Sequence, residues 1–221
     1  TAYWSEDVES NDFGLDEFMT LCRVVRAEPY IAVSATGPDD DRMAAEEVEY
    51  MNGSPDTPMG KLRAANGHPE PYNVRFWGVG NEMWGFMPLK DYIQRHNRIA
   101  AAMRAVDPSI QLIAVGGVDF EGLQEGSSWA QDMLAQCAEN MDLISEHIYG
   151  GSSPNLVEHA NSIAQGVRWF VKAHREYRRQ LAALRDKDIR LAFDEWNSFW
   201  GDRDEIYGEA GPRYYFKDAL G

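Results

Sequence analysis

Cysteine is nearly missing from this 221-residue chain, with Cys22 and Cys137 as its whole complement. Both fall at apolar positions of predicted helices, which reads as two buried thiols and implies no disulfide framework. No cluster of Cys and His at ligand spacing is present, so no metal is expected, and nothing calls for an organic cofactor. Basic charge is also scarce: 21 Lys and Arg stand against 36 Asp and Glu, a formal net charge of −15. Nucleic-acid binding draws most of its affinity from a basic face, so no nucleic acid is expected as a partner, and anionic lipid is disfavoured for the same reason. The sequence has no run of 18 apolar residues, which argues against a helical membrane span. It shows no signal peptide, so a cytoplasmic location is expected, although the chain begins at Thr1 without Met and an address further upstream stays open.

What is present points to a single alternating fold. The length suits one sizeable core. Apolar spacing predicts a helix from Gly14 to Ala27, a strand Pro29–Val33, and a helix from about Asp39 to Met51. Residues 54–73 read mostly as loop, with a helical turn near Gly60–Ala65. A strand Val74–Val79 and a long helix from Pro88 to Val106 follow, with His96 on its apolar stripe as a satisfied core or edge histidine. Then come a strand Ile110–Val115, a short helix Trp129–Cys137, a strand Leu143–Tyr149, a helix Leu156–Leu184 with a break near Gly166, and a strand Ile189–Phe193. Strand, loop and helix repeat five times, which is the grammar of a parallel α/β sheet. Polar and aromatic residues gather after the strand ends, where such folds place their sites.

Those strand ends carry the chemistry. The first is Trp77-Gly-Val-Gly-Asn81-Glu82-Met83-Trp84, with a carboxylate between aromatics. Such a group suits a general acid, although Glu82 alone reads as well as a solvated residue opening a loop. On the strand Leu143–Tyr149, alternation puts Ser145, His147 and Tyr149 on one face and Ile144 and Ile148 on the other; Glu146 between them reads as a structural ion-pair partner. The last strand delivers Asp194-Glu195-Trp196-Asn197, and alternation groups Leu191, Phe193 and Glu195 on one face. Gly78 and Gly80 would clear space beneath Glu82. Two carboxylates across a cleft are what glycosidic bond cleavage uses, one to protonate the leaving oxygen and one to attack or to activate water. The seven Trp and the 12% aromatic content suit a cleft that stacks on sugar rings.

The pieces Trp4–Phe18 (WSEDVESNDFGLDEF), Ala27–Val33 (AEPYIAV), Trp77–Met83 (WGVGNEM), Asp142–Tyr149 (DLISEHIY) and Phe193–Asn197 (FDEWN) together resemble the α-L-arabinofuranosidases of glycoside hydrolase family 51. They occur in the family's order and span nearly the whole chain. The Gly-Asn-Glu and Asp-Glu-Trp-Asn pieces are shared by a wider group of barrel glycosidases; the first two pieces narrow the likeness to this family. The resemblance implies a partial (β/α)₈ TIM barrel over residues 1–221 as one incomplete catalytic domain. It would hold about strands three to seven with their helices, without the first two strands, the last strand and the C-terminal β-sandwich. It further implies Glu82 as acid/base, Glu195 as nucleophile, and Asn81 on the hydroxyl beside the reacting carbon. His147 and Tyr149 would orient the nucleophile and line the pocket, with Trp4 and Trp196 completing the sugar site. The implied ligand is an arabinose-containing oligo- or polysaccharide such as arabinan or arabinoxylan, and the complete protein is expected to be a homo-oligomer.

After Met83 this chain departs from the family's frequent Asp-Gly-Pro-Trp and reads Trp84-Gly85-Phe86-Met87, which touches the leaving-group side. Another retaining barrel glycosidase, an endoglucanase or β-xylosidase, is the nearest alternative. A non-catalytic sugar-binding protein, or an inactive piece of a longer enzyme, is the alternative of a different class.

Overall fold

Helix α1 (Leu15–Val25) forms because Leu15, Phe18, Met19 and Cys22 fall on one face, with Met19 and Cys22 buried. Glu17 reaches back to the Gly14 amide at 2.9 Å, and Arg26 ends the helix at φ 58°. The structure, a computed structural model, describes residues 12–117, 129–150 and 155–198. Five strands alternate with the helices: β1 (Tyr30–Val33), β2 (Phe76–Val79), β3 (Gln111–Val115), β4 (Leu143–Gly150) and β5 (Arg190–Ser198). Every pairing is parallel, and the spatial order β1-β2-β3-β4-β5 follows the chain. That is the arrangement expected when each strand is joined to the next by a right-handed helical crossover. Among the described residues no helix is long and apolar enough to cross a membrane.

The register assigns the two faces. Ile31, Trp77, Leu112, Ala114 and Ile144 point toward the helices, and all are buried. Tyr92 of helix α4 (Leu89–Val106) lies against them, donating its hydroxyl to the Val79 carbonyl at 2.7 Å and accepting the Val115 amide at 2.9 Å. Trp129, at the start of α5 (Trp129–Cys137), stacks on Tyr92 with ring centroids 5.6 Å apart. Trp77 and Trp129 are therefore core residues and not cleft walls, and both free cysteines are buried. The opposite face carries Tyr30, Gly78, Ile113 and Ser145. Across a flat sheet β1 and β5 would stand about 19 Å apart, four strand spacings. Tyr30 of β1 nevertheless donates its hydroxyl to Asp194 of β5 at 2.9 Å. The sheet is therefore curled into part of a barrel, with this face inside.

Four details differ from the sequence expectation. Beyond helix α2 (Asp40–Asn52), residues 54–73 contain helix α3 (Pro58–Ala65), started by Pro58 and capped by Thr57, whose hydroxyl accepts the Gly60 amide at 3.2 Å. Helix α6 (Leu156–Gln180) runs unbroken through Gly166, because that glycine is where Ile148 of β4 presses against the helix. Gly78 makes room for the Tyr30 ring and not for Glu82. His96 is fully buried, edge-on to Tyr92, but it is not satisfied: neither ring nitrogen has a hydrogen-bond partner among the described residues. Burial pushes its pKa down to about 4, so it sits in the core as a neutral ring.

The loop around α3 is organised by Arg63, which is fully buried. Its guanidinium donates to the carbonyls of Gly53 at 2.8 Å, His68 at 3.0 Å and Pro69 at 3.2 Å, and also to Tyr50. Replacing it by Met strands four carbonyls. Arg63→Met is expected to lower the unfolding free energy by about 3 kcal/mol, read from urea denaturation; a loss below about 0.5 kcal/mol would show that the loop does not depend on this residue.

Candidate active site

Strand β2 stops at Val79, and the chain then turns through two residues of positive φ, Gly80 at 83° and Glu82 at 46°. Met83 fixes the turn: it is buried, and its side chain lies so close to Gly80 that no Cβ would fit there. A non-glycine residue in the left-handed region costs about 1 kcal/mol or more, a strain typical of functional positions. The turn aims the Glu82 carboxylate over the inner face. Asn81 beside it is exposed, in an open groove with Ser34, Thr36 and Phe86.

Strand β4 supplies the inner-face run Ser145, His147, Tyr149, and Ile148 faces helix α6 as alternation requires. Glu146 is buried on the outer side, near Trp169 and His174 of α6. Strand β5 breaks alternation. Ser145 pairs with Ala192, but His147 pairs with Glu195, so β5 carries one extra residue here, a β-bulge. Phe193 packs outward on Phe170 of α6, ring centroids 6.0 Å apart. Glu195 faces inward, and so does Asp194 before it. The expectation that Leu191, Phe193 and Glu195 share a face is therefore corrected by the bulge. The carboxylates also lie within β5 and not beyond its end.

These residues converge on one ring. His147 Nδ1 lies 2.9 Å from Glu82 Oε1 and 3.4 Å from Glu195 Oε2, and its Nε2 lies 3.5 Å from Asp194 Oδ1. Both nitrogens face carboxyl groups; where these are ionised they accept only, so both nitrogens donate and the ring is an imidazolium. Burial opposes that charge, but the bonds to Asp194 and Glu82 and the field of Glu195 outweigh it, raising the His147 pKa to about 9. Asp194 is bonded again by the Ser145 hydroxyl at 2.6 Å and by Tyr30. Burial works against its ionisation, yet the bonds from His147, Ser145 and Tyr30 hold its carboxyl below the ordinary range. The Tyr149 hydroxyl donates to Glu195.

Of the residues singled out from sequence, Glu82, His147, Tyr149 and Glu195 are thus brought together, with Asn81 at the rim. Trp196 pairs with Ile148, which puts it on the face opposite Glu195, 64% exposed. Trp4 lies outside the described residues. Sequence reasoning placed Ser145 on the face of His147 without giving it a role and missed Asp194 and Tyr30; the Asp-Glu pair was the signal for Asp194, Tyr30 had none, and the bulge that turns both acids inward has no sequence mark.

Glu82, His147 and Glu195 each offer one donor atom, and the three atoms lie within 4.8 Å of one another. The same three groups are joined by the hydrogen bond and ion-pair contacts described above.

A group whose pKa is raised on folding adds stability below its unfolded value, and that stability is lost as pH rises through the folded value. For His147 the window runs from about 6.5 to about 9. Thermal stability is expected to fall across that range, and His147→Gln to flatten the fall. A wild-type melting profile level from pH 6.5 to 9 would exclude the charged ring.

Comparison with known proteins identifies the family. A family model described as the alpha-L-arabinofuranosidase 1 domain matches residues 1–179. Alpha-L-arabinofuranosidase C of Emericella nidulans is 32% identical over 96% of this chain and 45% of that protein. The intracellular exo-alpha-(1→5)-L-arabinofuranosidase of Bifidobacterium longum is 28% identical over 88% of this chain and 36% of its own length. The crystal structure of alpha-L-arabinofuranosidase from Thermotoga maritima in its arabinose complex superposes with a TM-score of 0.78 at 33% identity, covering 91% of this chain and 41% of that one. A family 44 endoglucanase from Clostridium thermocellum, at 12% identity and a TM-score of 0.52, shares the fold alone. The chain thus spans less than half the length of these arabinofuranosidases, and its curled sheet corresponds to part of a (β/α)₈ barrel.

Proposed function

This chain belongs to the alpha-L-arabinofuranosidase domain family, and from that premise we propose that the whole protein is a retaining, exo-acting α-L-arabinofuranosidase. Its substrates are arabinan- or arabinoxylan-type polysaccharides and their oligosaccharides, from which it releases terminal arabinofuranose. The observation that carries the reading is the pair Glu82 and Glu195 on one inner face, with one carboxylate oxygen of each within 4.8 Å of the other. Retaining enzymes hold their two carboxyl groups about 5–5.5 Å apart, and inverting ones need roughly 6.5–9.5 Å to admit a water. The short spacing favours direct attack.

In this mechanism Glu195, steadied by the Tyr149 hydroxyl and His147, attacks the anomeric carbon. Glu82, protonated in the reactive form, gives its proton to the departing oxygen. A sugar ester on Glu195 results, and the Glu82 carboxylate then takes a proton from the water that hydrolyses it. Asn81 at the rim binds the hydroxyl next to the reacting carbon. Trp4 is kept as a contact to the sugar in the complete protein; Trp196, on the face opposite Glu195, is not placed at the reacting sugar. A cytoplasmic location and a homo-oligomeric assembly go with the same reading, the first in keeping with the relative named intracellular.

The roles separate experimentally in the complete enzyme. Glu82→Ala should lose about 10²–10⁴-fold on poor leaving groups but much less on an activated aryl arabinofuranoside, and azide should restore turnover by attacking the ester. Glu195→Ala should be inactive on every substrate. Equal losses for Glu82→Ala across a leaving-group series would defeat the assignment. NMR of the first product should show the starting anomeric configuration, and the inverted sugar as first product would end the double-displacement reading.

A further inference from the structure

Asp194 has no part in the chemistry just described, yet it is the most heavily bonded acid of the inner face. Its side chain is 15% exposed. One oxygen takes the Ser145 hydroxyl at 2.6 Å and faces His147 Nε2 at 3.5 Å; the other takes the Tyr30 hydroxyl at 2.9 Å. Its contacts come from β1 and from β4. We propose that Asp194 is a positioning residue for the catalytic pair: clamped by Tyr30 and Ser145, it fixes the His147 ring by one nitrogen so that the other is shared between Glu82 and Glu195.

The geometry gives this content. An imidazole shared between two carboxylates through a single nitrogen can swing toward either one. Anchoring the far nitrogen removes that freedom, and it also holds the second proton on the ring. The groups facing His147 are Glu82 after β2 and Asp194 and Glu195 from β5; Tyr30 and Ser145 hold Asp194 in turn, and Tyr149 holds Glu195. Burial and then the charge of Asp194 push the Tyr30 phenol far above its ordinary pKa, so that hydroxyl stays a donor and Asp194 stays an acceptor. Gly78 belongs to the same device, since any side chain there would displace the Tyr30 ring. As the reaction alternately neutralises Glu82 and Glu195, a ring pinned from behind keeps its place while the charges in front of it change.

The inference rests on the glycosidase reading for its catalytic consequence but not for its structural one, and the test separates the two. In the complete enzyme, Asp194→Asn keeps the side-chain shape and removes the charge. The expected result is a loss of about 10²-fold in kcat on an aryl arabinofuranoside, with KM little changed. The His147 imidazole, followed by NMR without substrate, should titrate at distinctly lower pH than in the wild type. Tyr30→Phe, which leaves the carboxylate in place and removes one clamp, should shift the titration in the same direction by less, and it supplies the measurement if the Asn variant does not fold. An unchanged His147 titration in Asp194→Asn, or in Tyr30→Phe where only that variant folds, overturns the proposal, as does an unchanged kcat in an active enzyme. A complete wild-type enzyme inactive on arabinofuranosides would sink the functional reading instead, and the NMR comparison would still decide the role of Asp194.

Discussion

One buried cation organises the inner face of this protein. Glu82, Asp194 and Glu195 converge on a single imidazole ring. Without that ring two carboxylates within 4.8 Å would repel by roughly 3 kcal/mol at an effective dielectric near 20, before solvent screening. With it, each acid gains a charge-assisted hydrogen bond or a close opposite charge. The ring's pKa is pushed up to about 9, and loss of its proton removes the positive charge that these acids share.

The fold exists in a form that permits this convergence. Strands β1 and β5 meet through Tyr30 and Asp194, which only a curled sheet allows. The curl is supported from outside, where Trp77, Tyr92 and Trp129 fill the space between sheet and helices with two hydroxyl bonds and one ring stack. It is relieved from inside by Gly78, which lets the Tyr30 ring lie flat against β2. The outer layer thus sets the curvature, and the curvature sets the distances at the site.

Two buried polar residues show how differently this core treats charge. Arg63 is ionised and every direction of its fork meets a carbonyl, so its burial holds a loop together. His96 has no partner among the described residues and is held neutral by burial. The contrast follows from hydrogen bonding: a buried charge is tolerable only when its donors are taken up, whereas an uncharged ring can be treated as an aromatic spacer beside Tyr92.

The sequence by itself determined the strand–helix order, the inner and outer faces of β4, and the likeness that gathers Glu82, His147, Tyr149 and Glu195 as a set. Those features are local: apolar periodicity fixes which face is buried, and short motifs travel with their strands. Tertiary structure alone decided three things. The bulge opposite Glu146 turns Asp194 and Glu195 to the same side, and it parts Phe193 from Glu195, because an extra residue in one strand is defined only against its neighbour. The pairing of Trp196 with Ile148 sends that ring away from the acids for the same reason. The clamp of Tyr30 on Asp194 joins residues 164 positions apart, and no pattern within either strand announces it, since the distance between them is a property of the curled sheet as a whole.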